Sequence, residues 1–128
     1  KVGIVRFIEN LSEENKKFDI DINAVSPGIL DTNMLDEVLK SGKSKIGDKN
    51  FKKFLSAKKS GGTNFKKVCD LILFLGSNYS NGISGKLISA VWDNWKNWTK
   101  RKKILKKSDA YTIRRIVGRD RGFKWGDK

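Results

Sequence analysis

Apolar residues first appear in helical register. Ile4, Val5, Ile8 and Leu11 fall on one side and Arg6, Glu9, Asn10, Glu13 and Glu14 on the other. That spacing predicts a helix over residues 2–16, stopped near Asn15-Lys16-Lys17. The period then changes to two. In "FDIDINAV", residues 18–25, Phe18, Ile20, Ile22 and Ala24 alternate with Asp19, Asp21 and Asn23, the pattern of a strand, and Pro27-Gly28 ends it. Met34, Leu35, Val38 and Leu39 predict a short helix over 32–39. Residues 40–62 are rich in Lys, Ser and Gly and read as a flexible excursion holding a small helix at about 50–57. Thr63 or Asn64 is a suitable N-cap for the next helix, with Phe65, Val68, Cys69, Ile72 and Leu75 as its buried stripe and Gly76 at its end. "NYSNG" (78–82) has turn chemistry, and "GKLISAV" (85–91) reads as a short buried strand.

Helices separating strands imply crossover connections and a parallel sheet, so the fold class expected is α/β. Two strands do not complete a doubly wound sheet, which needs both faces covered. The body therefore reads as the C-terminal half of an α/β domain, and no internal repeat interrupts it.

Composition narrows the function classes. The chain has 128 residues, one cysteine (Cys69) and no histidine, which excludes an internal disulfide framework and a Cys/His zinc site. No metal ligands are expected. No run approaches the roughly 18 apolar residues of a membrane span, and the N-terminus lacks the regions of a signal peptide, so the expected location is the cytoplasm. The formal net charge is +14. Residues 96–128 carry 13 Lys/Arg against 3 Asp/Glu, a net of +10, whereas residues 1–95 carry 15 against 11, a net of +4. The tail thus supplies the excess, either as a solvated basic segment or as a surface for nucleic acid.

The only proline of the chain, Pro27, stands directly after a strand-like run. In open α/β sheets ligands bind at the carboxyl ends of strands, where a Pro-Gly turn leaves peptide groups free to face them. "INAVSPGILDTNM" (22–34) resembles the post-strand segment of the short-chain dehydrogenase/reductase family, in which a strand leads through Asn-x-x-x-Pro-Gly to a threonine. The family carries a Tyr-x-x-x-Lys motif whose lysine lies some 26 residues before that proline, and Lys1 is 26 positions before Pro27. "FLGSNYSNGISGKLISAVWDNW" (74–95) is similar to the family's last helix, glycine-bearing turn and final strand. The resemblance covers residues 1 to about 92, leaving 93–128 as a basic, Trp-containing extension. "SAVWDNW" with "YTIRRIVGRDRGFKWGDK" resembles the branch associated with bacterial surface-sugar gene clusters.

The resemblance implies the C-terminal portion of a Rossmann-like, doubly wound parallel sheet. It also implies hydride transfer between NAD or NADP and a carbonyl or alcohol substrate. Lys1 matches the lysine that lowers the catalytic tyrosine's pKa and binds the nicotinamide ribose. Pro27, Gly28 and Ile29 match the segment lining the nicotinamide carboxamide, and Thr32 the hydroxyl bound to carboxamide or pyrophosphate. Met34 and Leu35 would begin the mobile segment that covers the substrate, and Asp31 is a turn or cap residue. Family members commonly form dimers or tetramers, and no membrane partner is implied.

Other parts of the family's site are absent from these residues. "SGGTNF" (60–65) follows no strand and lacks G-x-G-x-x-G spacing, and neither Tyr79 nor Tyr111 precedes a lysine by four. The 128 residues alone are expected neither to bind NAD(P) tightly nor to catalyse. The rival reading is a small binding module that uses Trp92, Trp95, Trp98 and the lysines at 96 and 100–107 on nucleic acid or an acidic partner. Packing of the tryptophans on the sheet or on a partner subunit is favoured over base stacking, so nucleic acid is not the expected partner.

Overall fold

The structure is a computed structural model that describes residues 1–123. The chain runs through α1 (Val2–Glu14), β1 (Ala24–Ser26), α2 (Asn33–Lys40), α3 (Lys43–Ile46), α4 (Asp48–Lys59), α5 (Phe65–Leu75), β2 (Leu87–Ser89) and α6 (Lys102–Lys107). Short 3-10 turns lie at Lys16–Phe18, Asn78–Ser80, Trp95–Arg101 and Gly118–Arg121. β1 and β2 pair in parallel with Ala24 opposite Leu87, Val25 opposite Ile88 and Ser26 opposite Ser89. The fold is therefore α/β around a two-stranded parallel sheet, with α5 in the connection.

The two edges of this sheet differ. In a parallel pair, alternate residues of a strand point both peptide groups at the neighbour and the others point both away. Ala24 donates to the Lys86 carbonyl at 2.8 Å and Ser26 accepts from Ala90 N–H at 3.0 Å, so the peptide groups of Val25 face away from β2. On β2 the outward N–H groups are taken: Leu87 donates to the Tyr111 carbonyl at 2.8 Å, and Ser89 donates to Asp93 Oδ2 at 2.7 Å. The chain closes the β2 edge with its own segments and leaves the β1 edge open.

The core is built between the sheet and α5. Val68, Leu71, Ile83, Ile88, Ala90, Trp95, Trp98 and Leu105 are buried together, with Val25, Leu30, Phe74 and Leu75 packed against them. Two tryptophans and a leucine beyond residue 92 thus belong to the same core as the sheet. Phe74 and Trp95 meet with ring centroids 5.4 Å apart, and Trp98 meets Tyr111 at 4.4 Å. Packing of Trp95 and Trp98 on the body is what burial of apolar area favours; Trp92 instead stands 86% exposed.

Several elements depart from the expectations. The strand expected over 18–25 is ordered as a strand only from Ala24. Residues 16–18 form a 3-10 turn, Asp19 takes a left-handed conformation (φ 56°), and Phe18 and Ile20 are exposed. The expected excursion at 40–62 is largely helical, as α3 and α4. On α5, Leu71 is fully buried, whereas Phe65 and Ile72 of the expected stripe are exposed. On α1 the expected outward Glu9 is almost fully buried, while Ile4 is exposed. The N-cap at Asn64 is as expected, its side chain accepting from Lys66 N–H at 2.9 Å.

Candidate functional site

The Pro-Gly turn begins one residue after β1, at the carboxyl end of the sheet. Gly28 has φ +84°, a conformation that L side chains rarely adopt. A Cβ there would collide with Thr63 Oγ1 and lie 2.9 Å from Val91 Cγ2. The space a side chain would need is filled by the segment leading into α5. The same segment is stitched to the turn by a 2.7 Å hydrogen bond from Thr63 N–H to the Ile29 carbonyl and by an antiparallel bridge between Leu30 and Gly62. The turn is therefore held from the chain's own side, and only its outer peptide groups face solvent.

Thr32 follows as the N-cap of α2. Its carbonyl accepts from Leu35 and Asp36, its side chain makes no capping hydrogen bond, and the residue is exposed. Its hydroxyl is thus uncommitted beside the first turn of a helix. Asp31 is an ion-pair residue: Lys58 Nζ on α4 lies 2.5 Å from Asp31 and 2.9 Å from Asp36. These two carboxylates hold the Lys58 ammonium above its ordinary pKa. Met34 and Leu35 both lie on α2, not in a loose segment; Met34 is 73% exposed and Leu35 is buried. Lys1 precedes α1 as an exposed N-cap, and among the described residues its side chain makes no hydrogen bond or ion pair. The structure therefore brings Pro27, Gly28, Ile29 and Thr32 together at one sheet end, and joins Lys1 to them through no described contact.

For a nicotinamide carboxamide this end of the sheet offers two polar groups. Thr32 offers a free hydroxyl, and the Ile29 carbonyl already holds one partner but keeps a second lone pair. Both point groups suit a carboxamide. Gly28 contributes nothing to such a cradle, because Thr63 occupies the space beside it.

A concave region, which sequence reasoning missed, lies at the opposite end of the sheet from the Pro-Gly turn. A cavity of about 800 Å³ is lined by residues 19–21 ahead of β1, 81–86 ahead of β2, one face of α1 and residues 105–109 and 112–114. At its wall the α1 residue Ser12 meets Gly85, where a Cβ would lie 2.5 Å from Ser12 Oγ. Lys86 is buried there, donating from Nζ to the carbonyls of Ser108 at 2.9 Å and Ala110 at 3.0 Å. Burial pushes the Lys86 ammonium below its ordinary pKa, against the opposing pull of Asp109 and Glu9. Arg6 and Glu9 close the far side: Glu9 Oε2 pairs with Arg6 at 2.8 Å, Glu9 Oε1 accepts from Ile113 N–H at 2.5 Å, and Arg6 donates to the Ile113 carbonyl. These bonds are spent on fastening residues 108–114 to the body, so the groups lining the cavity act as a strap. No sequence period marks them, because their partners lie between 22 and 107 residues away.

Among the described residues there is no grouping of His, Cys, Asp and Glu placed to hold a metal ion, and no helix long and apolar enough to cross a membrane. No protein-family model, curated protein or solved structure matches this chain. What stands on geometry alone is an α/β unit with a parallel pair of strands, one open edge and a rigid Pro-Gly turn at the carboxyl end.

Proposed function

We propose that this chain is the C-terminal part of an NAD- or NADP-dependent oxidoreductase of the short-chain dehydrogenase/reductase type, acting on a carbonyl or alcohol substrate. The observation that carries the reading is the placement of Pro27-Gly28-Ile29 and the free Thr32 hydroxyl at the carboxyl end of a parallel strand whose outer edge is open. Ligand sites of doubly wound sheets form at that end, and further parallel strands join at such an edge. β2, capped by Tyr111 and Asp93, suits the last strand of the sheet.

In this reading the nicotinamide supplies or accepts the hydride. Thr32 and the Ile29 peptide hold the carboxamide, and α2, with Met34 outward, covers the substrate. Lys1 provides an ammonium that stabilises a tyrosinate contributed from outside these residues. Dimer or tetramer formation belongs to the same reading, as does a role in surface-sugar metabolism.

The test is the coding sequence ahead of Lys1 together with the activity of the longer protein. A tyrosine four positions before Lys1 and a glycine-rich turn near the start of the domain are expected. In that protein Lys1→Met should lower turnover by about 100-fold or more, the scale of a proton-transfer contribution. An upstream sequence with neither feature overturns the assignment.

A further inference from the structure

We propose that the outer face of residues 95–107 is a docking surface for the phosphate backbone of nucleic acid, bound without sequence selection. This surface is separate from the Pro-Gly turn and does not depend on the oxidoreductase reading.

The segment carries seven cations (Lys96, Lys100, Arg101, Lys102, Lys103, Lys106 and Lys107) and no acid. Trp95, Trp98 and Leu105 are its buried residues. They fix the segment to the core and leave the cations off the packed face. Six of the seven are exposed, and Lys102 is half-buried, its Nζ 3.4 Å from the Asn78 carbonyl. The tryptophans and the lysines therefore do not compete for one role. The aromatics anchor, and the charges remain outside for a partner.

Elsewhere the positive charge is partly compensated, although Lys49, Lys52 and Lys53 on α4 pair with no carboxylate among the described residues. Arg6, Lys16, Lys43, Lys58, Lys66 and Arg114 each pair with a carboxylate. Among the described residues none of the seven cations of 95–107 does so. The two acids that flank the segment are already engaged, Asp93 by the Ser89 N–H and Asp109 by Arg114. The result is a dense row of positive charge with no carboxylate partner among the described residues, whose self-repulsion a polyanion relieves.

The composition of the row selects among polyanions. A membrane surface is held by a helix that inserts an apolar face, and here Trp95, Trp98 and Leu105 are turned into the core, which leaves Ile104 as a single exposed apolar residue and no apolar face. Protein interfaces are depleted in lysine, and six of these seven cations are lysines. Lysine ammonium groups neutralise phosphates as point charges without bidentate reading of bases. The fit is to phosphates in sequence, single- or double-stranded.

The experiment is fluorescence anisotropy of the 128-residue chain with labelled 20-nucleotide single strands and 20-base-pair duplexes across a salt series. Expected are dissociation constants of roughly 10⁻⁴–10⁻⁶ M near physiological salt, indifferent to sequence, with a log-log salt slope on duplex of about −4 or steeper. Substituting K100Q, R101Q, K103Q and K107Q together should weaken binding more than tenfold at low salt and make the slope shallower by about 3. A control with K49Q, K52Q, K53Q and K59Q on α4 removes the same charge and should change affinity less than threefold. Unchanged Trp95 and Trp98 fluorescence checks the fold of both variants. In the unaltered protein, bound oligonucleotide should protect Lys100 and Lys103 from acetylation and leave Lys49 and Lys52 reactive. Equal losses in the two variants, absence of protection, or retention on phosphatidylserine vesicles without oligonucleotide binding would each overturn the proposal.

Discussion

Glu9 on α1 accepts the backbone N–H of Ile113 at 2.5 Å, joining positions 104 residues apart. With Arg6 on the Ile113 carbonyl, the N–H and the C=O of one residue are both held by a single ion pair on α1. Glu9→Ala removes the acceptor and leaves Arg6 unbalanced. A loss of about 1–3 kcal/mol is expected, the cost of an unmade bond at a nearly buried site. Limited proteolysis should then cut residues 108–116 at least several times faster. Unchanged cleavage there would show that Leu87 and Lys86 hold the strap without α1.

Trp98 and Trp92 make opposite predictions. Trp98 is buried against Tyr111, so Trp98→Ala should cost about 3–5 kcal/mol in chemical denaturation. Trp92 is 86% exposed, and Trp92→Ala should stay within about 0.5 kcal/mol. Equal losses would mean that Trp92 is packed in solution.

Gly28→Ala is expected to destabilise by about 1–2 kcal/mol from the left-handed backbone alone, and by more because Thr63 Oγ1 occupies the Cβ position. Thr63→Ala in the same chain should return part of that loss. A double-mutant cycle measures the coupling, and strict additivity would mean that the two residues do not touch.

Asp120 supplies a pH-dependent link. The hydrogen bond from Arg114, joined by the Val117 N–H, lowers its carboxyl from the ordinary value to about 2. A carboxylate lowered on folding stabilises the folded chain above its unfolded pKa, near 4. That contribution is lost as pH falls from about 4 toward 2. An NMR titration of the Asp120 carboxyl carbon should give a midpoint near the lower value, and Arg114→Gln should move it upward. A midpoint insensitive to Arg114 would exclude the pairing.

Local chemistry was legible where one signal acted alone. Asn64 before an apolar run marks a helix start, and Pro27-Gly28 marks a strand end; the structure has both. The strand over 18–25 was misread because alternation reports a half-buried sheet only if a neighbour is present along its length. β2 offers just three paired residues, and Phe18 and Ile20 have no sheet to face. On α5 the apolar residues run almost all round, so spacing alone could not choose Leu71 over Ile72. Lysine and serine suggested a loop at 40–62, although lysine is a good helix former, and α4 half-buries Phe51 and Phe54. At the candidate site, Thr63 was invisible because its contact with Gly28 is tertiary. Glu9 was misassigned for the same reason.

The unequal edges of the sheet also bear on self-association. Exposed strand edges invite pairing with other chains, and Val25 presents the only unoccupied peptide groups at the middle of either described strand. Two copies that joined through β1 would consume that edge in both molecules, while Tyr111 and Asp93 block each far side. In the 128-residue chain by itself, edge-to-edge growth would therefore stop at a pair; in a longer protein whose own strands join β1, that edge is already used.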